Sequence, residues 1–258
     1  TELLGERHPL RLLSMNNLAA MYSAIGRGGD AMALLQQAYA ASVQRLGARL
    51  PDTLLALANL AVVYGQLGLT GEAIALNETL LAQRTEVLGE KHPHTLLSMS
   101  NLAQAYGAVG RQAERLALDE RALRLRTEVL GERHPLSLRQ LVYVAGSQMS
   151  NGQLDAALAT GQRALALNTE VLGERHSQTM ATRHSLAATL ARRGDAAQAA
   201  SVAEQALAQR RETLGIDHPD TLTSSLLLAR QWRHLGRLAD AAALSADYVT
   251  GAERQRSQ

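Results

Sequence analysis

The chain has 258 residues, of which 46% are hydrophobic and 3% aromatic, and its formal net charge is +2 at pH 7. The absence of cysteine excludes disulfides, thiolate metal sites and cysteine nucleophiles, and it is typical of a reducing compartment. No stretch approaches the roughly 18 apolar residues of a membrane span, and no signal sequence opens the chain. We therefore expect a soluble cytoplasmic protein without membrane contact.

A repeat of 42 residues runs along the chain without insertion or deletion. Its marker is the dipeptide Leu-Gly, which recurs at Leu4-Gly5, Leu46-Gly47, Leu88-Gly89, Leu130-Gly131, Leu172-Gly173 and Leu214-Gly215. Self-similarity at such a period is typical of supersecondary units that bury their apolar faces by stacking on neighbours. The sequence predicts six repeats in a single domain over 1–258, at approximately 4–45, 46–87, 88–129, 130–171, 172–213 and 214–255.

Each repeat predicts two helices separated by glycine turns. In the linker, which reads LGERHP at 4–9, glycine closes one helix in a left-handed conformation and proline opens the next helix. A second glycine, Gly26 and its equivalents every 42 residues, separates helix A from helix B. In the first repeat these helices are predicted from Leu10 to Ala24 and from Asp30 to Arg45. Because strong helix formers dominate and phenylalanine is absent, we expect an all-α fold.

A signature of small and apolar residues recurs in all six repeats with substitutions; in the first repeat it is Leu18-Ala19-x-x-Tyr22-x-x-x-Gly26-x-x-x-x-Ala31-x-x-x-x-x-x-Ala38. This signature resembles the tetratricopeptide repeat (TPR). The 42-residue length, the Asn-Asn-Leu-Ala-like helix A and the LGExHP linker resemble the kinesin light chain subclass, which is also common in bacterial multidomain proteins. Two departures predict local differences in packing: Arg115 replaces the small residue of helix B, and the tyrosine of helix A is replaced by Gln148, Leu190 and Trp232.

The resemblance implies a right-handed superhelical solenoid whose helices A line a concave, peptide-binding wall. In this subclass an asparagine before the Leu-Ala pair can hydrogen-bond the main chain of a bound peptide. The matching residues here are Asn17, Asn59 and Asn101, followed by Tyr143, Ser185 and Leu227. An amide carries both a donor and an acceptor, so a row of amides can satisfy an extended backbone. The alternative is that these asparagines bond one repeat to the next.

A second candidate feature is the basic character of the last three helices A. They contain one acid, Asp220, and a set of basic residues, namely Arg139, Arg183, His184, Arg192, Arg193, Arg230, Arg233 and His234. Arginine recognises carboxylates and phosphates with paired donors, so a basic groove would favour an acidic ligand. We select Arg139, His184, Arg192, Arg230 and Arg233 as candidate binding residues. The alternative is that such side chains pair with neighbouring acids or face water.

Other chemistries have little support in the sequence. The linker histidines, such as His92 and His134, recur too far apart to share one metal ion, and we expect them to shape helix entry. The phosphate-loop, HExxH and GxSxG motifs are absent, so we expect no catalysis, no cofactor and no metal. Few aromatic residues and a small net charge argue against nucleic-acid binding.

The sequence therefore predicts a non-catalytic module that binds a peptide or protein segment, with an acidic ligand favoured. The alternative is a sensor or regulatory arm of a larger bacterial effector, such as a nucleotide-switch ATPase or a caspase-like protease. Thr1-Glu2 matches the last turn of a helix B, so we expect a fragment of a longer array. Exposed apolar groups at its ends, near Leu10, Leu13, Met15, Leu244 and Tyr248, predict weak end-to-end self-association.

Overall fold

A computed structural model of the protein describes residues 9–256. Twelve α-helices and no strand are present in that range, which confirms the all-α prediction. The chain divides into two compact units, unit 1 over Thr1–Val129 and unit 2 over Leu130–Gln258. The division falls at the predicted boundary between the third and fourth repeats, so each unit consists of three helical hairpins.

The hairpins have nearly constant dimensions. Helices A, which carry odd numbers below, have 16 or 17 residues, and helices B have 19. Unit 1 contains α1 (Pro9–Ala24), α2 (Gly28–Leu46), α3 (Pro51–Gln66), α4 (Thr70–Leu88), α5 (Pro93–Ala108) and α6 (Gln112–Leu130, whose last residue belongs to unit 2). Unit 2 contains α7 (Pro135–Ser150), α8 (Leu154–Leu172), α9 (Ser177–Arg193), α10 (Ala196–Leu214), α11 (Pro219–His234) and α12 (Leu238–Arg256).

Glycine follows five of the six helices B in a backbone conformation that other residues rarely adopt. Gly89 has φ +87° and ψ 160°, and Gly173 has φ +85° and ψ 161°. The positive φ agrees with the sequence prediction, but the ψ values lie outside the left-handed helical region. They place both glycines in a region that is almost exclusive to glycine. The chain therefore leaves helix B in an extended direction toward the next helix A.

Histidine side chains begin four of the helices A. The Nδ1 atom of His92 accepts a hydrogen bond from the backbone N–H of His94 at 3.2 Å, and His134, His176 and His218 cap their helices in the same way. An N-cap side chain satisfies a backbone donor that has no partner within the helix. The predicted role of these histidines in helix entry is confirmed.

The core of each unit lies between helix B of one hairpin and the helices A on either side. In unit 1, Ala19, Ala31 and Leu35 of the first hairpin pack with Leu60 and Val63 of α3. The small residue near the start of helix B is at most 4% exposed in five hairpins, at Ala31, Ala73, Ala157, Ala199 and Ala241. Its small size allows the two helices of a hairpin to approach closely.

In the third hairpin Arg115 occupies the position of the small residue. The residue of α5 that faces it is Gly107, which has no side chain. A Cβ atom added to Gly107 would lie 2.8 Å from Cδ of Arg115. The Arg115 guanidinium lies 3.7 Å from the carboxylate of Asp119, which is 3% exposed. Glycine on helix A thus compensates for the arginine on helix B, as expected for a departure from the repeat pattern.

Buried polar side chains near the end of helix B join consecutive hairpins. Arg84 donates to Oγ of Ser98 at 2.8 Å and to the carbonyl of His94 at 3.2 Å, both on α5. In unit 2, Arg210 makes the equivalent bonds to α11, and Asn168 donates to Oγ1 of Thr182 at 2.9 Å. Burial lowers the pKa of both arginines from an ordinary value far above neutrality. An arginine keeps its charge in proteins, and hydrogen bonds from Nη1 satisfy these two guanidinium groups in part, since Nε of Arg210 is buried without a hydrogen-bond partner in the described residues.

Ion pairs join the second to sixth linkers to the end of helix B in the same hairpin. The basic linker residue pairs with a glutamate 37 positions later, at Arg49–Glu86, Lys91–Glu128, Arg133–Glu170 and Arg175–Glu212. In the last hairpin the charges are exchanged, because Asp217 pairs with Arg254 at 3.1 Å. The exchange preserves the pair, so the pairing depends on opposite charge rather than on which residue carries it.

The apolar groups that the sequence analysis expected to be uncovered at the two ends differ in exposure. Leu244 is 5% exposed and packs in the core of unit 2, so the expectation was wrong for this residue. Leu13 is exposed, Met15 and Tyr248 are half-buried, and the side chain of Leu10 is outside the described structure. End-to-end self-association stays a prediction.

Candidate functional site

One face of each helix A is left open by the packing of the hairpins. Residues spaced four, three and four apart share a face of an α-helix. We call this face the A stripe. In unit 1 its members are Leu13, Asn17, Ala20, Ala24, Leu55, Asn59, Val62, Gln66, Leu97, Asn101, Gln104 and Ala108, all exposed except the half-buried Asn59. In unit 2 they are Arg139, Tyr143, Gly146, Ser150, Ala181, Ser185, Ala188, Arg192, Thr223, Leu227, Arg230 and His234, which are exposed or half-buried.

The three candidate asparagines lie on the A stripe of unit 1. Asn17 and Asn101 are exposed, and neither makes a hydrogen bond within the described part of the chain. Asn59 donates from Nδ2 to Oδ1 of Asn16 on α1 at 3.3 Å. Two amides are therefore available to a ligand, while the third also bonds one repeat to the next.

Asn59 also lines an open cleft between α1 and α3, with a volume of about 310 Å³. Its walls are mainly apolar and are formed by Ala20, Ala24, Leu35, Val62 and Val63, with Ser23, Asn59 and Gln66 as the polar members. The Ser23 hydroxyl donates to Oε1 of Gln66 across the cleft. The cleft combines apolar walls with an amide, as small binding pockets commonly do.

Exposed leucines lie beside the asparagines. The sequence prediction of the site did not include them, although Leu13 was expected to be uncovered at the end of the chain. Leu13, Leu55 and Leu97 precede the three asparagines by four residues and are 49%, 42% and 44% exposed. Their position on the asparagine face of the helix was the available signal. The A stripe of unit 1 therefore presents apolar groups and amides, and none of its members is charged.

Four of the five basic candidates in unit 2 are exposed and lack an ionic partner. Arg139, Arg192 and Arg230 lie on the A stripe, and Arg233 lies on the adjacent face of α11. None of the four has a hydrogen bond or an ion pair within the described residues. Arg230 and Arg233 line an open cleft of about 460 Å³ between α11 and α12.

Other arginines of unit 2 are neutralised by neighbouring acids. Arg193 pairs with Asp155 at 3.1 Å and with Asp195, and Arg183 contacts Gln209 and lies 4.0 Å from Glu174. Pairs with an acid are also made by Arg133, Arg163, Arg175, Arg211 and Arg237. The contrast shows that unpaired positive charge in the described part of unit 2 is concentrated on helices A.

His184 lies beside the A stripe and faces the next hairpin. Its Nδ1 atom is 3.1 Å from Oγ of Ser224 on α11, and the side chain is half-buried. Burial and the nearby Arg210 charge lower its pKa to about 4, with Asp220 opposing the shift. The imidazole is therefore neutral at pH 7 and adds no positive charge to the stripe. Tyr143, by contrast, occupies the asparagine position on α7 and is half-buried on the stripe itself.

The described residues contain no group of three histidine, aspartate or glutamate side chains that could hold a metal ion. Over the same part of the chain, no helix has the length and hydropathy required to cross a membrane.

Comparison with known proteins places the repeats in a family. Models of the tetratricopeptide repeat match residues 11–52, 52–128 and 140–212. No curated protein sequence is similar enough to match. A solved structure from Podosopora anserina, described as a kinesin light chain with nearly identical TPR-like repeats, is 30% identical, with a TM-score of 0.74 over 80% of this chain and 98% of that one.

Two further structures share the fold at lower sequence identity. BtubC from P. vanneervenii is 18% identical with a TM-score of 0.72, over 88% of this chain and 91% of its own. A signal transduction ATPase with numerous domains from Pyrococcus horikoshii, which has a tetratricopeptide repeat sensor, is 12% identical with a TM-score of 0.71. The match covers 95% of this chain and 36% of the ATPase. The chain belongs to the tetratricopeptide repeat family, and its repeats are of the kinesin light chain-like kind.

Proposed function

We propose that the chain is a non-catalytic protein-binding module that recognises a partner segment through its A stripes. Tetratricopeptide repeats are generally protein-interaction scaffolds. The single observation that carries the proposal is the group of unpaired arginines, Arg139, Arg192, Arg230 and Arg233, on helices A of unit 2. Unpaired guanidinium groups at the surface are available to a ligand, whereas the paired arginines of the same unit are already satisfied.

The chemistry of these arginines favours an acidic ligand. A guanidinium offers several donors in one plane and binds a carboxylate through two parallel hydrogen bonds. The three helices A of unit 2 contain a single acid, Asp220 in the first turn of α11. An acidic peptide on this stripe would therefore meet little electrostatic repulsion.

The A stripe of unit 1 has a different chemistry, because it offers asparagine amides and exposed leucines. An extended peptide could donate to and accept from Asn17 and Asn101 while its apolar side chains contact Leu13, Leu55 and Leu97. The cleft beside Asn59 would take one apolar side chain. Main-chain recognition by amides gives affinity, and the apolar contacts give selectivity.

A second candidate function is that of a sensor arm which regulates a separate catalytic domain. The P. horikoshii ATPase, which shares the fold, carries a tetratricopeptide repeat sensor. Peptide recognition would then be the input to that domain. The two candidates differ in what the full-length protein contains, so the sequence of the complete protein distinguishes them.

Calorimetric titration with a short peptide of alternating glutamate and serine tests the proposed ligand. Replacing Arg139, Arg192, Arg230 and Arg233 by glutamine should weaken binding by roughly thirtyfold at low salt, since four exposed charge contacts at about 0.5 kcal/mol each sum to about 2 kcal/mol. High salt should reduce the difference by screening the charges. The control is a variant with glutamine at the paired residues Arg133, Arg163, Arg175 and Arg211. Equal losses in both variants would contradict the proposal, because a non-specific charge effect would explain them.

A further inference from the structure

An open groove of about 620 Å³ lies between α4 and α6 of unit 1, with residues of α5 at its base. Leu81 and Ala82 of α4 line one wall, Ala117 and Leu118 of α6 line the other, and Leu102 lies at the base. None of the lining residues belongs to the A stripe. The groove separates the second and third hairpins, away from both ends of the sequence, and its volume is within the range of about 300–1,000 Å³ that ligand sites occupy.

Two positions of α4 that line the groove carry smaller side chains than their equivalents in α2. Tyr39 and Val43 of α2 occupy the positions of Leu81 and Thr85. Tyr39 is half-buried and packs on a core cluster of α3 and α4. The smaller pair leaves space between the second and third hairpins that an aromatic ring fills between the first and second.

One end of the groove carries an excess of one negative charge. The Tyr106 hydroxyl donates to Oε1 of Glu78 at 2.8 Å, and Cζ of Arg111 lies 3.9 Å from the centroid of the tyrosine ring. Nε of Arg111 donates to Oε2 of Glu114 at 2.6 Å, and its Nη1 lies 3.5 Å from Oε1 of Glu78. Within the described residues no other cation pairs with either carboxylate, and their side chains are 46% and 49% exposed. One guanidinium therefore serves two carboxylates.

The other charged side chains of the lining are paired one to one. Glu86 pairs with Arg49, and Arg121 pairs with Glu90. These pairs add no net charge to the groove. The unbalanced charge therefore lies at the Tyr106 end, where it favours a cationic group on a ligand.

The lining favours a helical ligand over an extended one. It contains no asparagine or glutamine, so it has no side-chain amide for the main chain of an extended peptide. A helix satisfies its own backbone groups internally. Ala82 and Ala117 are exposed on the two walls, and their small size allows another helix to approach closely. The eight residues from Glu78 to Glu86 on α4 span about 12 Å, which is roughly two helical turns.

We propose that this groove, which we call the B groove, binds two turns of an amphipathic helix of a partner protein. Apolar side chains of the partner pack between Leu81 and Leu118, and a lysine or arginine of the partner lies beside Glu78 and Glu114. Recognition of a helix in a groove uses apolar side chains spaced three or four residues apart. The B groove differs from the A stripe of unit 2 in the charge and the conformation of its ligand, and binding there does not depend on the arginines of unit 2.

Calorimetric titration with a helical peptide tests the ligand chemistry. The probe is an alanine-rich peptide with two leucines four residues apart and lysines in the flanking turns. One control peptide has glutamate in place of each lysine, and the other has alanine in place of each leucine. We expect one saturable site for the probe, weaker binding of the glutamate peptide, and about tenfold weaker binding for each leucine replaced. No saturable binding of the probe, or equal affinity for either control, would overturn the proposal.

Two substitutions taken from the first junction test the groove on the protein. Glu78→Gln reproduces Gln36, which hydrogen-bonds the hydroxyl of Tyr64 at 2.7 Å, so the variant should fold normally while losing the excess charge. It should bind the probe roughly two- to fivefold more weakly at low salt, as expected for one exposed charge contact. Leu81→Tyr reproduces Tyr39 and fills the groove, so its affinity should fall by about tenfold or more.

Glu72→Gln is the matched control, because Glu72 is exposed on α4, lies outside the groove and undergoes the same change of charge. Its affinity for the probe should equal that of the unmodified chain. Circular dichroism establishes that each variant is folded, and if Leu81→Tyr is not, the comparison of Glu78→Gln with Glu72→Gln decides alone. Equal losses in those two variants, full affinity in a folded Leu81→Tyr, or probe-induced amide shifts on the A stripe instead of α4 and α6 would overturn the B groove.

Discussion

The A stripes of the two units stand on the same repeated scaffold and expose opposite chemistry. In unit 1 the position four residues before the asparagine is occupied by Leu13, Leu55 and Leu97, whereas its first equivalent in unit 2 is Arg139. Three residues after the asparagine position, Val62 in unit 1 corresponds to Arg230 in unit 2. The backbone positions are equivalent in the repeat, so the difference belongs to exposed side chains alone. Under the proposed function, ligand preference is thus separable from fold.

Features that build the scaffold are shared by both units. His92 in unit 1 and His176 in unit 2 cap their helices with the same geometry, and Gly89 and Gly173 have nearly identical backbone angles. Substitutions at positions with the same residue in both units should therefore change the stability of the two units alike. Substitutions at positions where the residues differ should change only one unit.

The largest expected difference between the two units is in how stability depends on pH, because His184 of unit 2 has no histidine equivalent in unit 1. Its folded pKa of about 4 lies below the ordinary value of 6.5, so the unfolded chain binds the proton more readily. Stability should be unaffected above about pH 6.5 and should fall as the pH is lowered toward 4, by at most about 3 kcal/mol. Burial is the largest cause of this shift, the Arg210 charge adds to it, and the Asp220 charge opposes it.

Denaturant unfolding at several pH values, with His184→Gln as the comparison, measures this effect. The variant should lose the part of the pH slope that arises between about pH 6.5 and 4. An unchanged slope in the variant would place the acid sensitivity in other groups.

Glycine at the end of helix B should be equally important in both units. Gly89→Ala and Gly173→Ala should each destabilise by about 2 kcal/mol, since both backbones lie in a region that strains any side chain. Gly71→Ala is the control, because Gly71 lies in α4 with a negative φ and open space around it. Thermal unfolding should show no loss for this control, and a large loss there would contradict the conformational explanation.

Within unit 1, the asparagines should differ in their structural contribution. Asn59→Ala should destabilise by about 1 kcal/mol, because it removes the hydrogen bond to Asn16. Asn17→Ala should leave the free energy of unfolding nearly unchanged, because Asn17 has no partner in the described residues. Equal losses in a urea titration would show that Asn17 also has a structural role.

The smallest predicted effect concerns the linker ion pairs. Arg49→Glu should cost about 0.5 kcal/mol at low salt by placing two negative charges together, and adding Glu86→Arg should restore the loss. The restored pair reproduces the charge order of Asp217 and Arg254. If the double variant is no more stable than Arg49→Glu in thermal unfolding, then charge does not account for the arrangement.

The sequence predicted features that recur with the 42-residue period. The twelve helices, the histidine caps and the small residues of helix B depend on local geometry, which is the same in every repeat. Ionic pairing was not predictable in this way. Arg193 pairs with Asp155, 38 residues earlier, whereas Arg192 beside it has no ionic partner in the described chain. Helical periodicity distinguishes the faces of these two side chains, but their partners depend on how the hairpins stack.

The most direct test exchanges the two stripes on the unchanged scaffold. A variant combining Leu55→Arg, Val62→Arg and Gln66→Arg with Arg139→Leu, Arg192→Gln, Arg230→Val and Arg233→Gln can be compared with the unmodified chain by amide NMR during titration with the glutamate-serine peptide. We predict that peptide-induced shifts move from α7, α9 and α11 to α3 in the exchanged variant. Shifts that remain in unit 2, or that fall outside helices A in either protein, would contradict the claim that exposed A-stripe side chains determine the ligand.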